Sequence, residues 1–280
     1  MCSTLESTKM SNSAKSLRFK TSSGMVYERR GSGRSLVFIH GWCLNRKMWL
    51  YAEEVLSREY EVITVDLPGF GLSDDLAGPF SLHRYSQEIA TLIEEADISD
   101  AILIGFALGA MVALEACVSN PGIAAGVVSI AIPGGRYSPY DKMANLMRRD
   151  WPEFASRSAK ALFHSPQSEA TLRWISDLFG QSSLSTGLEV LNVLATYEPK
   201  DVAPKVGCPT LYLHAANDAV SPIEIGSDCE KASPFGSLSV IPDCGHLIVL
   251  DQKARFHEAV KHFADSLWSK NEKDEEIIRK

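Results

Sequence analysis

Three things are missing from this 280-residue chain, and each absence removes a class of protein. No two of its six cysteines (Cys2, Cys43, Cys117, Cys208, Cys229, Cys244) stand as a CxxC pair. Thiolate metal clusters and dithiol redox motifs are therefore not expected, and a disulfide framework is not expected in a chain this long. No apolar run approaches the roughly 20 residues that span a bilayer. The longest, Ala101 to Leu114, contains two glycines and stops at Glu115. Basic charge is also in deficit, with 28 Lys and Arg against 35 Asp and Glu for a net −7. This argues against a nucleic-acid backbone as partner. The N-terminal MCSTLESTKMSNSAKS lacks the apolar centre of a secretory signal, so a cytoplasmic protein with no membrane association is expected.

What remains is ample for a core, since 45% of residues are hydrophobic and 22% charged. Leu17 to Arg30 reads as two short strands around Ser23-Gly24, an antiparallel hairpin. Short β-branched runs follow at Ser35–Ile39, Glu61–Asp66, Ala101–Ile104, Gly126–Ile130, Thr210–His214 and Leu238–Ile241. Helical patterns lie between the first of these runs, for example Ser81–Ala96 with Tyr85, Ile89, Leu92, Ile93 and Ala96 on one face. The fold class is thus α/β, a mostly parallel sheet covered by helices on both faces.

One interval breaks the alternation. Between Ile132 and Thr210 the chain carries four helical patterns (Met143–Leu146, Glu153–Phe163, Glu169–Phe179, Leu188–Ala195), too much for one crossover. It reads as an inserted helical cap and return helix over the carboxyl ends of the strands, where open α/β sheets bind ligands. The division is a disordered leader at 1–16, a core at 17–133 and 205–268, a cap at 134–204 and a charged tail at 269–280, after a closing helix carrying Phe256, Val260, Phe263 and Leu267.

The string with most chemistry is Gly105-Phe106-Ala107-Leu108-Gly109, between an apolar strand and a helix. It is a nucleophile elbow, G-x-S-x-G, with alanine where serine would stand. Phe38-Ile39-His40-Gly41-Trp42 ends the preceding central strand, so the Trp42 and Leu108 N–H groups are the expected oxyanion donors. Asp218 follows one strand and His246 another, completing the chain order nucleophile, acid, base. Of seven histidines, His246 alone sits in a Gly-His loop after a strand. His40 is expected to brace its loop, His214 to lie inside a strand, and His83, His164, His257 and His262 to lie in helices. Asp243 and Asp251 belong to the loop and helix of His246 itself, which leaves Asp218 as the carboxylate that orients the imidazole. Asp66-Leu-Pro-Gly69-Phe-Gly71 is expected to shape a loop without catalytic duty.

With these residues in order, the chain resembles the α/β-hydrolase superfamily over nearly all its length after the leader. His40-Gly-Trp-Cys-Leu-Asn45 with Trp49, Asp66-Leu-Pro-Gly-Phe-Gly71 and Gly187-Leu-Glu-Val-Leu191 look like the biotin-pathway esterases that cleave the methyl ester of pimeloyl-acyl-carrier protein. The resemblance implies a carboxylesterase that uses a Ser-His-Asp triad and an acyl-enzyme, with no metal or organic cofactor. Its substrate would be a small or carrier-bound acyl ester. Phe106, Arg148 and Arg149 are the candidate substrate-binding residues. From Arg136 to Phe163 six basic residues (Arg136, Lys142, Arg148, Arg149, Arg157, Lys160) face three acidic ones, a net +3 suited to an acidic carrier protein. A lactonase or a C–C bond hydrolase would use the same triad. An aspartate nucleophile fits less well, because those families place Trp where Leu108 stands.

Ala107 is the departure from that pattern. A methyl group cannot attack a carbonyl, so the chain as written is expected to be inactive. Alanine there has two readings. One is an engineered serine-to-alanine change that traps substrate, which the intact acid, base and oxyanion loop favour. The other is a natural protein that binds a ligand without cleaving it.

Overall fold

The structure, a computed structural model, describes residues 16–76, 78–135 and 140–278, apart from the side chains at 141 and 270–278. The expected leader lies outside it except for Ser16, as does Arg136. Eight strands form one sheet: β1 (Leu17–Lys20), β2 (Val26–Gly31), β3 (Ser35–Ile39), β4 (Glu61–Asp66), β5 (Ile102–Phe106), β6 (Gly126–Ile130), β7 (Thr210–Ala215) and β8 (Gly236–Ile241). Their spatial order is β1-β2-β4-β3-β5-β6-β7-β8. The pairings of β1 with β2 and of β2 with β4 are antiparallel, and the rest are parallel.

β3, β5, β6 and β7 are buried at every residue, as continuous apolar runs covered on both faces must be. The covering helices are α1 (Leu50–Leu56), which follows a 3-10 turn at Arg46–Trp49, α2 (Leu82–Glu95) and α3 (Leu108–Ser119). In α2 the stripe Tyr85, Ile89 and Leu92 is buried, and the Ser81 hydroxyl accepts the Arg84 N–H at its start. Almost every residue of α3 is buried, because it lies between α2 and the sheet.

Between β6 and β7 run α4 (Tyr140–Arg149), α5 (Trp151–Ala161), α6 (Glu169–Gly180), α7 (Leu184–Ala195) and the short α8 (Pro199–Val202) with a 3-10 turn at Ala203–Lys205. Side-chain caps set three of the starts. Asp150, Ser168 and Ser183 accept the N–H groups of Glu153, Thr171 and Thr186 at 3.0, 3.1 and 3.0 Å. These caps explain why α5 begins two residues before the expected Glu153, and α7 four before Leu188. Gly187 lies inside α7. A Cβ there would meet Met147 of α4 at 3.0 Å and Cys43 at 3.3 Å. His164 lies in the α5–α6 loop rather than in a helix.

The chain closes with α9 (Ile223–Ala232), α10 (Ile248–Asp251) and α11 (Lys253–Ile278). α11 continues through most of the expected 269–280 tail, because nothing in the sequence there breaks a helix. Among the described residues no helix is long and apolar enough to cross a membrane.

Two buried polar groups shape the carboxyl end of the sheet. Asp66, fully buried, accepts the backbone N–H groups of Arg46 and Leu72 at 2.8 and 2.9 Å and pairs with the Arg46 guanidinium, which also reaches Glu28 at 2.9 Å. Gly71 follows from this, since a Cβ there would lie 2.2 Å from the Asp66 carboxyl carbon. His40 accepts the Leu67 N–H on Nε2 at 2.9 Å and donates from Nδ1 to the Gly41 carbonyl at 2.7 Å. It braces the loop, as expected.

His214, in β7, is also fully buried. Burial, aided by His246 and opposed by Asp218 and the Ser221 backbone, holds its pKa down to about 4 from 6.5. The unfolded chain then binds a proton at pH values where the native chain does not. Stability should therefore fall as pH drops from about 6.5 towards about 4, by roughly 3 kcal/mol at 1.36 kcal/mol per unit. A His214→Gln variant should lose distinctly less over that range in urea titrations. Parallel pH curves for the two proteins would refute the assignment.

Candidate active site

The elbow between β5 and α3 is held by three close backbone approaches. A Cβ on Gly105 would lie 2.1 Å from the Gly109 carbonyl oxygen, and one on Gly109 would lie 2.1 Å from that of Ile39. Between these glycines Ala107 takes φ 49° and ψ −107°, a conformation that L residues rarely adopt, and its N–H is tied to the Ile130 carbonyl at 2.9 Å. The turn projects the side chain of residue 107 at the N-terminus of α3, beside the carboxyl ends of the strands.

His246, in the loop after β8, is 4% exposed. Its Nδ1 lies 2.8 Å from Oδ2 of Asp218, in the loop after β7. The other carboxylate oxygen accepts the N–H groups of Val220 and Ser221, both at 2.8 Å. Burial alone would push the Asp218 carboxyl up. The His246 ring and the two N–H groups more than offset this and hold it below the usual carboxylate range. Asp218 is thus a carboxylate that fixes Nδ1–H, leaving Nε2 as the basic nitrogen.

Ala107 and His246 line one cavity of about 220 Å³ with Trp42, Phe106 and Leu108. Its remaining wall is mostly apolar and comes largely from the cap, through Tyr140, Met143, Phe154 and Phe179. The Phe106 ring lies 4.9 Å from the His246 ring. Leu108 is the first residue of α3, so its N–H has no carbonyl inside the helix. Among the described residues, neither the Leu108 nor the Trp42 N–H has an acceptor. Both are free to serve a ligand in the cavity.

Arg148 and Arg149, exposed at the end of α4, are not brought to this cavity. Arg149 and Arg157 instead line, with Asp150 and Glu153, a neighbouring cleft of about 320 Å³ beside α5, where Arg157 pairs with Glu153 at 2.6 Å. The cleft shares Phe154, Ser158 and Ala161 with the cavity wall, and Arg148 lines neither space. A larger open groove of about 970 Å³, between residues 75–82 and α7, holds none of the expected site residues. Among the described residues no three His, Cys, Asp or Glu side chains converge as metal ligands.

Sequence reasoning missed Asp251. Its carboxylate accepts the N–H of Gly245 at 2.8 Å, that of His164 at 2.9 Å and the Gln167 side-chain amide at 3.2 Å. The Leu247 N–H adds a bond to the Leu162 carbonyl at 2.9 Å. The His246 loop is thereby sewn to the α5–α6 loop of the cap. The only signal in the sequence was an acidic residue five positions after the histidine.

Comparison with known proteins agrees with this fold. The chain is 24% identical to the AB hydrolase superfamily protein YisY of Bacillus subtilis, over 86% of this chain and 96% of that one. It is 26% identical to a pimeloyl-[acyl-carrier protein] methyl ester esterase of Edwardsiella ictaluri, over 87% and 98%. The fold matches that of an esterase from Exiguobacterium antarcticum with a TM-score of 0.84, at 22% identity over 89% of this chain and 98% of that chain. Residues 36–259 match the alpha/beta hydrolase family over their whole span, and with the sheet order and helix-covered core this shows that the chain belongs to that family.

Proposed function

We propose that this is the site of a carboxylester hydrolase in which position 107 is that of the nucleophile, His246 is the general base and acid, and Asp218 orients it. The observation that carries this reading is that His246, held by Asp218 at 2.8 Å, lines one apolar cavity with the strained elbow at residue 107. With serine at 107, its Oγ would attack the ester carbonyl while His246 Nε2 takes the proton. The Trp42 and Leu108 N–H groups would hold the oxyanion. His246 would then return the proton to the departing alcohol, and water would release the acyl group by the same steps in reverse order of roles. With Ala107 the chain holds the acid, the base and the oxyanion donors but has no attacking atom.

The substrate suggested by the named relatives is a methyl ester on an acyl chain borne by an acidic carrier protein. Arg149, exposed in a cleft that adjoins the acyl cavity along α5, supports it, whereas Arg157 in the same cleft is paired with Glu153 at 2.6 Å. Free lactones and C–C substrates would use the same triad, and product analysis separates them.

Ala107→Ser should raise hydrolysis of p-nitrophenyl esters by on the order of 10⁴-fold or more, since loss of such a serine costs about 10⁶ in kcat in subtilisin. Adding His246→Ala should abolish the gain. If the folded Ala107→Ser protein stays inactive on esters, lactones and diketones, the site belongs to a protein that binds without cleaving.

In the Ala107→Ser background, Arg148→Glu with Arg149→Glu should slow turnover of a carrier-bound methyl ester at least about tenfold more than that of a free ester, with a weaker response to salt. Equal effects on both substrates would exclude carrier recognition by this face.

A Gly109→Ala change tests the elbow itself, and should lower stability by at least about 2 kcal/mol because the new Cβ has no room against the Ile39 carbonyl. An unchanged urea midpoint would contradict the tight packing.

A further inference from the structure

Five cysteines lie among the described residues, none in a disulfide. Cys43, Cys117, Cys229 and Cys244 are buried, and Cys208 alone is partly exposed. Cys117 sits in the last turns of α3, and Cys208 lies two residues before β7. They are 91 positions apart, yet their sulfurs lie 3.8 Å from each other, because α3 packs along β5 and β6 with β7 next in the sheet. Burial pushes the Cys43 thiol up, and those of Cys229 and Cys244 up to about 12. Cys208 goes the other way, because its contact with Cys117 outweighs burial and holds its pKa below the usual thiol value. The same contact, reinforced by burial, keeps Cys117 protonated.

We propose that Cys117 and Cys208 form a hydroperoxide-sensitive dithiol, a modification site that closes into a reversible disulfide. The arrangement has both parts that such chemistry needs: a partly exposed cysteine with the lower pKa of the two and a buried resolving thiol already in contact with it. The Cys208 thiolate attacks one oxygen of a hydroperoxide. The O–O bond breaks, the departing oxygen takes a proton and leaves as alcohol or water, and Cys208 becomes a sulfenic acid. Cys117 then attacks the Cys208 sulfur. The S–S bond forms as the S–O bond breaks, and the hydroxyl leaves as water with the proton from Cys117. Two thiols are oxidised by two electrons and one peroxide is reduced. The sulfurs must approach from 3.8 Å to about 2.05 Å.

The bridge would tie the helix that begins at the elbow to the strand that leads to Asp218, at the ends of both elements far from the cavity. Its main effect is therefore on stability, through a closed loop of about 90 residues. It does not depend on the ester-hydrolase reading.

The test treats the full, reduced chain with hydrogen peroxide and maps peptides without reduction. A linked Cys117–Cys208 peptide should appear and disappear on adding dithiothreitol, with the thermal midpoint raised by about 5 °C or more in the linked form. In Cys117→Ser, Cys208 should stop at a sulfenic acid that dimedone traps, and in Cys208→Ser, Cys117 should remain unmodified. Dimedone-labelled Cys208 without linkage in the unchanged chain would overturn the proposal. So would pairing of Cys208 with another cysteine such as Cys2, or no reaction at Cys208 under peroxide that oxidises a free thiol.

Discussion

The first turn of α3 rests against the main chain of β3 and β5 with no space for a side chain at either contact. Where Gly109 faces the Ile39 carbonyl and Gly105 faces Gly109, a Cβ would sit 2.1 Å from oxygen. The rest of the site depends on that closeness. It brings the helix start over the strand ends, places residue 107 in positive φ and leaves Leu108, whose N–H has no acceptor among the described residues, in the cavity wall. A helix seated even one atom layer higher would relax Ala107 and separate Leu108 from Trp42. The energy stored at residue 107 is offset by the apolar burial of nearly all of α3.

Among the described residues, four of the six non-glycine residues with positive φ lie on one side of the sheet, the other two being Asp97 and Asp100 in the turn that leads into β5. Cys43, Ala107, Ala131 and Asp243 all have positive φ, and they follow β3, β5, β6 and β8. Each lies where a strand hands over to a loop at the carboxyl edge. The opposite edge lets chains turn without crowding a ligand space. The carboxyl edge must pack loops, helix starts and cap into a small volume, and the backbone absorbs the misfit. Asp66 and His40 stiffen the same edge from below, one with Arg46 and the other with the Leu67 N–H.

Much of this was legible in the sequence, for physical reasons that differ by element. The β3, β4 and β6 bounds were readable to the residue because buried parallel strands are unbroken apolar runs flanked by polar turns. Ala107 and its glycines were readable because steric exclusion leaves no other residue for those two places. Asp218 and His246 stood out as polar residues just past strand ends. The cap was legible only as helical content. Its N-caps move the helix starts, Gly187 allows close contact with Met147 and Cys43, and the residues that line the cavity are chosen by crossings that periodicity does not encode. Arg148 and Arg149 carried the expected charge, but charge says nothing about facing direction, and α4 turns them away from the cavity. The bridging role of Asp251 was invisible because its partners are mostly backbone N–H groups, which every sequence contains.

The stitching of the cap bears on how a ligand gets in and out. The Asp251 carboxylate and the Leu247–Leu162 bond fasten the α5–α6 loop to the His246 loop, and the Trp42 indole N–H donates to the Gly187 carbonyl in α7 at 2.9 Å. Anchors on two separate sides leave no single axis about which the cap could swing as a rigid door. Traffic through the cavity then falls to the side chains of its own wall, chiefly Met143, Phe154 and Phe179, whose rotations cost no backbone hydrogen bond. Breathing of this sort admits slender, flexible ligands and holds back broad rigid ones, so the cap would select by the width of a molecule in transit as well as by its fit at rest.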